Sequence, residues 1–283
     1  MKLSVVTPSF NCAAYIEACL RSVLDQHDAE LEYIAIDGGS TDGTAEIIRR
    51  YTDRLAYWVS EPDKGHYDAV NKGFARATGE VLAFINSDDM LAPGCLATVK
   101  EIFAQFPEID WITGIPSVWD ESGNRMGTGE RAHAYARKYL VAGEHDGVIL
   151  PGVQQESCFW RRSLWDKVGG RIDTKWDLAG DFDLWTRMAK HAELVGVDQV
   201  ISGNRRHPLQ RSNLQKDEYF RQEYAIAAQL GCRAWLRSRF VHRLSRLRGG
   251  WRTYGLFFPE KGPVLVKESG PQGKWVKSTR AVL

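Results

Sequence analysis

Four short apolar runs in the first third of the chain, at residues 3–6, 33–36, 57–59 and 81–85, alternate with stretches whose apolar residues recur at helical spacing. Between the first two, Tyr15, Ile16, Cys19, Leu20, Val23 and Leu24 fall on one face of a helix. Residues 44–51 and 67–77 read as helices in the same way. Strands separated by helices cannot pair as hairpins, so the alternation predicts an α/β fold with a mostly parallel sheet flanked by helices. Ligands of such sheets bind in the crevice beyond the carboxyl ends of the strands. Three of these ends carry polar clusters: Thr7, Ser9 and Asn11, residues 37–44, and residues 86–89. A single crevice is expected.

The remaining pattern is sparser. A helix ending near Phe106, a hairpin around residues 121–124, a helix over about 181–190 and a strand over 193–197 are predicted. The 283 residues suffice for one α/β domain of about 200 residues plus an appendage. A hydrophobic content of 43% and a net charge of +1 describe an ordinary globular chain and give no reason to expect nucleic acid as a partner. Cys12, Cys19, Cys95, Cys158 and Cys232 are scattered, odd in number and without a CxxC pair, which argues against a disulfide framework or zinc site and for a reducing compartment such as the cytoplasm. The apolar stretch before Pro8 is too short for a secretory signal, and no run of 18 apolar residues suggests a membrane span.

Asp88 and Asp89 follow the apolar run 81–85 directly, in GEVLAFINSDD. Two carboxylates at a strand end need a neutralising cation, and magnesium or manganese would supply one while leaving positions free for a substrate phosphate. The alternative is a helix cap made by Ser87, Asp88 or Asp89. The loop 37–44, DGGSTDGT, enters a helix from a strand, where free backbone N–H groups can receive an anion or a polar base edge. It also reads as a capped turn, and it is neither a P-loop nor a dinucleotide fingerprint.

Five motifs together, TPSFN (7–11), DGGSTDGT (37–44), EPDKGHYDAVNKGF (61–74), ATGEVLAFINSDD (77–89) and AGDFDLWTRMA (179–189), resemble the family 2 glycosyltransferases over about residues 1–210. The resemblance implies a GT-A fold and an inverting, nucleotide-sugar-dependent hexosyltransferase. It divides residues 1–212 into a nucleotide-sugar-binding half, 1–106, and an acceptor half, 107–212. It implies that Asp37 bonds the nucleotide base, with Thr7, Pro8 and Ser9 forming the other wall and Gly39 within the loop. Asp88 and Asp89 become the metal-binding acidic motif, with Asp89 the more direct ligand, beside Ser87. Asp181 becomes the catalytic base, and where many relatives have Glu before it this chain has Gly180. Lys64, Asp68 and Asn71 fall in a block that lies near the donor ribose and diphosphate in relatives.

The expected chemistry agrees: a bound manganese or magnesium steadies the departing diphosphate, and a carboxylate takes the proton of a weakly nucleophilic acceptor hydroxyl. Asp183, about 200° around the helix from Asp181, should face away. His207 is read either as a third metal ligand or as a solvated loop residue, with Arg205 and Arg211 beside it for the diphosphate. Trp160 and Trp176 are considered as platforms for an acceptor sugar, against the alternative that tryptophans fill cores. A uridine donor suits Asp37, although thymine offers the same edge.

Residues 213–283 read as a basic, mainly helical extension, with 253–283 as an extended arm or tail. Arginines at 233, 237, 239, 243, 246, 248 and 252 accompany an apolar stripe of Leu236, Phe240, Leu244 and Leu247. Residues 233–252 therefore suit an anionic membrane surface, the catalytic domain itself or a partner subunit. The composite expectation is a cytoplasmic enzyme, peripheral on the inner membrane face, that extends a glycan or lipid-linked glycan in polysaccharide assembly. Two alternatives are a sugar nucleotidyltransferase, disfavoured because TPSFN replaces a glycine-rich basic loop, and a catalytically silent nucleotide-sugar-binding scaffold, disfavoured because a binder needs no Asp181.

Overall fold

Strand β1 (Leu3–Ser9) is buried along its whole length, which is why its apolar run shows no alternation. Leu3 and Val5 face one core and Val6 the other. It lies between β2 (Leu31–Asp37) and β4 (Val81–Phe84), parallel to both, and β3 (Tyr57–Ser60) continues the parallel edge beyond β2. The connecting helices are α1 (Ile16–Leu24), α2 (Thr44–Arg49) and α3 (His66–Phe74). The predicted helical stripe on α1 is its buried face, and it packs with α4 (Cys95–Gln105) on one side of the sheet. Helix α3 covers the other side. The computed structural model describes residues 1–147, 150–230, 260–268 and 273–278.

The strands that follow are β5 (Met90–Leu91), β6 (Trp111–Thr113), β7 (Ser117–Trp119), β8 (Arg125–Thr128), β9 (Phe159–Arg161), β10 (Leu194–Val197), β11 (Ser202–Arg205), β12 (Val264–Lys267) and β13 (Trp275–Ser278). Helices α5 (Arg137–Val141), α6 (Arg162–Lys167), α7 (Gly180–Ala189), α8 (Arg211–Leu214) and α9 (Lys216–Gln229) complete the described elements. Among the described residues nine strands form one sheet in the order β13-β12-β10-β6-β9-β4-β1-β2-β3. Within it β9 is wedged antiparallel between β4 and β6, and β13 is antiparallel to β12. A smaller sheet, β5-β11-β7-β8, stands at the carboxyl end of β4 and contains the predicted hairpin, β7 with β8.

Two expectations change here. Trp160 is 0% exposed on β9, ringed by Phe74, Phe84, Trp165 and Trp185 at centroid distances of 5.7–6.3 Å, so it fills the core and cannot cover a sugar. Residues 213–283 are also not simply an appendage: β12 pairs parallel with β10, and Leu265 and Trp275 belong to the core that holds α1 and α4. The basic stretch 233–252 lies outside the described residues.

Candidate active site

The chain turns sharply beyond β4, and Asp88 and Asp89 point into different surroundings. Asp89 is fully buried. Its carboxylate accepts hydrogen bonds from the backbone N–H of Arg205 (2.8 Å), from Asn86 Nδ2 (3.1 Å) and from Asn204 Nδ2 (3.4 Å). Burial, with the nearby charges of Asp88 and Glu156, holds its carboxyl well above the usual range. Asp89 thus ties β11 to the end of β4. Asp88 is the more open of the two, and its Oδ2 lies 2.9 Å from His207 Nε2. Asp88 is therefore the more accessible carboxylate of the pair, whereas the three donors around Asp89 belong to the protein itself.

His207 is positioned through Tyr15. Its ring packs on Tyr15 at a centroid distance of 4.4 Å, and the Arg205 guanidinium lies over the same tyrosine at 5.1 Å. Arg205 Nε donates to the Asp88 carbonyl (2.8 Å) and Nη1 to the Glu121 carbonyl (3.1 Å), while Tyr15 Oη donates to Glu121 Oε1 (2.8 Å). Arg205 therefore braces the loops. Its Nη2 and the His207 Nδ1 are buried without a hydrogen-bond partner.

A second carboxylate stands at the start of α7. Asp181 Oδ1 accepts from Tyr67 Oη (3.0 Å) and from the Phe182 N–H (2.9 Å); the bonds found among the described residues fall on this one oxygen. Burial raises the Asp181 carboxyl, and the Tyr67 bond works against that rise by favouring the charged form. Gly180 explains how the tyrosine comes so close. A Cβ there would meet Tyr67 Cε2 at 2.7 Å and Ile172 Cγ2 at 2.8 Å, so a glutamate cannot be added without moving the ring. Asp183 turns the other way and pairs with Arg187 Nε at 2.8 Å.

Other residues singled out in the sequence divide between crevice and scaffold. Asp37 is buried; its Oδ2 accepts from Ser60 Oγ (2.6 Å), Ser40 N–H (2.9 Å) and Gly39 N–H (3.2 Å), and its Oδ1 from Ser40 Oγ (2.5 Å). It holds the loop after β2, where Gly39 adopts a φ of +82°. Thr7 Oγ1 lies 2.9 Å from Tyr33 Oη inside the core, whereas Ser9 Oγ is buried and unpartnered at the strand end. Pro8 stands opposite Ile36 in the β1–β2 register, and Ser87 is buried beside Cys12.

Asn71 does not face a ligand. Its Nδ2 donates to the Ile172 carbonyl (2.9 Å) and its Oδ1 accepts from the Ile172 N–H (2.8 Å), which fastens α3 to the segment before α7. Asp68 Oδ2 accepts from the Lys64 N–H at 3.0 Å, and the Lys64 side chain is exposed. Arg211 pairs with Asp177. Trp176 is half-buried, packs with Ala179, Phe182 and Ile226, and carries Lys175 Nζ 5.0 Å from its ring centre.

Two groups at the site escaped the sequence reading. His66, at the start of α3, is pushed down to about 4, first by burial and then by Arg211, against the pull of Asp88 and Asp177. Glu156, in the short turn Gln155–Ser157, is buried, its Oε1 has no partner, and its carboxyl is pushed up to about 8 by burial and then by Asp88 and Asp181. Gln155 Nε2 donates to the Phe84 carbonyl at 2.6 Å, which sets the turn carrying Glu156 at the end of β4. The only hint in the sequence was the polar run QQES ahead of an apolar strand.

Residues 4–165 match the model of glycosyl transferase family 2. The chain belongs to that family. An uncharacterised glycosyltransferase of Mycobacterium tuberculosis is 30% identical over 205 residues, 70% of this chain and 73% of that protein. A Bacillus subtilis glycosyltransferase named for teichuronic acid biosynthesis is 42% identical over 90 residues, 31% of this chain and 36% of its own length. Among solved structures, Staphylococcus aureus TarS (residues 1–349) with UDP-GlcNAc superposes at a TM-score of 0.61 and 17% identity, covering 81% of this chain and 66% of that one. The mannosyltransferase PcManGT of Pyrobaculum calidifontis, with GDP-Man and Mn2+, gives 0.61 and 19%, covering 90% and 78%. These likenesses establish the GT-A fold. No helix among the described residues is long and apolar enough to cross a membrane.

Proposed function

We propose that this family 2 glycosyltransferase moves a sugar, with inversion, from a nucleoside diphosphate donor to a hydroxyl of a glycan or lipid-linked glycan. The carrying observation is that the chain holds Asp88 paired with His207 at the end of β4 and Asp181 bonded by Tyr67 at the start of α7, with the Glu156 carboxyl raised by both charges. Donors of this kind occur in the TarS and PcManGT structures, and the teichuronic acid relative supports an acceptor among surface glycans. A uridine nucleotide is the first donor to test.

The residues present suit a divalent metal completed by substrate. Asp88 and His207 offer one hard oxygen and one imidazole nitrogen 2.9 Å apart, and no cluster of three or more ligating side chains forms among the described residues. Magnesium-type sites commonly take one or two protein ligands and fill the rest of the shell with phosphate oxygens and water. Such a metal, when bound, supplies positive charge to the leaving diphosphate.

The chain's own groups do the rest. Asp181 accepts the proton of the acceptor hydroxyl as the new glycosidic bond forms. Tyr67 fixes the Asp181 rotamer and keeps the charged form accessible despite burial. Asp89 and Arg205 hold the loops so that Asp88 and His207 need not reorganise on donor binding. The crevice beyond Ser9 and the Asp37 loop takes the nucleoside.

The test is thermal stabilisation by UDP, dTDP, GDP and CMP, each with and without manganese. A ligand at 100 times its dissociation constant adds about 2.7 kcal/mol, so one matching nucleotide should raise Tm in a metal-dependent way. Absence of any nucleotide-dependent shift overturns the donor reading.

A further inference from the structure

A cavity of about 240 Å³ opens beside Asp181, lined also by Asp146, by Trp185 of α7 and by Tyr219, Phe220 and Glu223 of α9. The donor reading uses none of these except Asp181. The cavity wall combines aromatic side chains with carboxyls, the two kinds of group that meet the apolar face and the hydroxyls of a sugar ring.

Glu223 is the informative member. It is 3% exposed, yet its Oε2 has no hydrogen-bond partner. An oxygen buried in that state next to an open cavity lacks what a ligand hydroxyl supplies. Burial, then Asp146 and Asp181, push its carboxyl up to about 9, so near neutral pH it can donate as well as accept. The neighbouring His145 is pushed down to about 4 by burial and is neutral there. Neither Lys nor Arg lines the cavity among the described residues. A hydroxyl or an amine therefore finds partners, whereas a carboxylate or phosphate meets like charge and no counter-ion.

We propose that this cavity receives the acceptor sugar, that Glu223 binds neutral or amino sugars through their hydroxyl or amino groups, and that Asp146 and Asp181 repel uronic acids. The proposal rests on Asp181 being the base, because only then does a sugar in this cavity present its hydroxyl for transfer.

The full chain is examined by saturation-transfer NMR with methyl glycosides of neutral hexoses, of hexosamines and of the matching uronic acids. At least one neutral or amino glycoside should bind, and its uronic counterpart should bind at least about tenfold more weakly, the scale of one lost hydrogen bond. Glu223→Leu should weaken the accepted glycoside by about tenfold, while Glu223→Gln, which still donates and accepts, should stay within about threefold. Equal binding of a uronic acid, no binding by any glycoside, or indifference to Glu223→Leu overturns the proposal. If Glu223→Leu does not fold, the comparison of neutral with uronic probes on the unaltered chain still decides it. Nucleotide-dependent Tm shifts on the same samples separate the two readings. Retained nucleotide binding with failed glycoside binding removes the cavity proposal alone, and loss of both removes the transfer reading as well.

Discussion

The end of β4 and the start of α7 each carry an aspartate, but they hold it differently. Around Asp88 the chain has built a braced polar frame: His207 against its carboxylate, Arg205 on its carbonyl and Asp89 clamping β11 from behind. Around Asp181 there is one phenol and one helix N–H on one oxygen, with burial raising the carboxyl. The first arrangement suits a fixed, charged guest such as a diphosphate with its cation. The second suits a proton that must arrive and leave. The two carboxylates thus differ in setting, one facing a histidine in a braced loop and the other buried at a helix start with a phenol and a backbone N–H.

The largest effect that would sharpen this contrast is on Asp181. Asp181→Asn should lower turnover by about 10²–10⁴-fold with nucleotide binding retained, as read by steady-state rates and Tm shifts; lost nucleotide binding with turnover intact would reverse the assignment. At the other end, His207→Ala or Asp88→Asn should raise the manganese concentration needed for half-maximal activity by at least about 10–100-fold, and an unchanged metal titration would remove the frame from metal binding. Tyr67→Phe should be milder. It deletes the bond that favours charged Asp181, so the carboxyl rises further and the acid limb of the kcat/KM profile moves to higher pH. A shift to lower pH would show that the tyrosine acts otherwise. Smallest of all, Asp183→Asn loses its pairing with Arg187 and should keep turnover within about threefold, since that pair faces away from Asp181.

Much of the donor side was legible because its signals are local. Buried parallel strands are continuous apolar runs, and the polar residues after them mark the crevice. Strand β1 ran further than expected, to Ser9, because Pro8 and Ser9 still pair with Ile36 and Asp37. What could not be read depends on distant partners. Trp160 became core only because Phe74 and Trp185 close around it. Asn71 found its partner at Ile172, and Glu156 and Glu223 gained their character from burial that no window of sequence displays. The different surroundings of Asp88 and Asp89 come from a single tight turn, where adjacent side chains diverge.

Strands β12 and β13 have a consequence for the arginine-rich stretch. Because the chain re-enters the main sheet after residue 260, both flanks of that stretch are moored: α9 on one side, and on the other a strand pair whose Trp275 carbonyl accepts from Gln105 Nε2 at 2.7 Å. A protease cut inside that stretch would leave two fragments still joined through the sheet, whereas deleting everything beyond residue 230 would strip Leu265 and Trp275 from the core and bare the edge of β10.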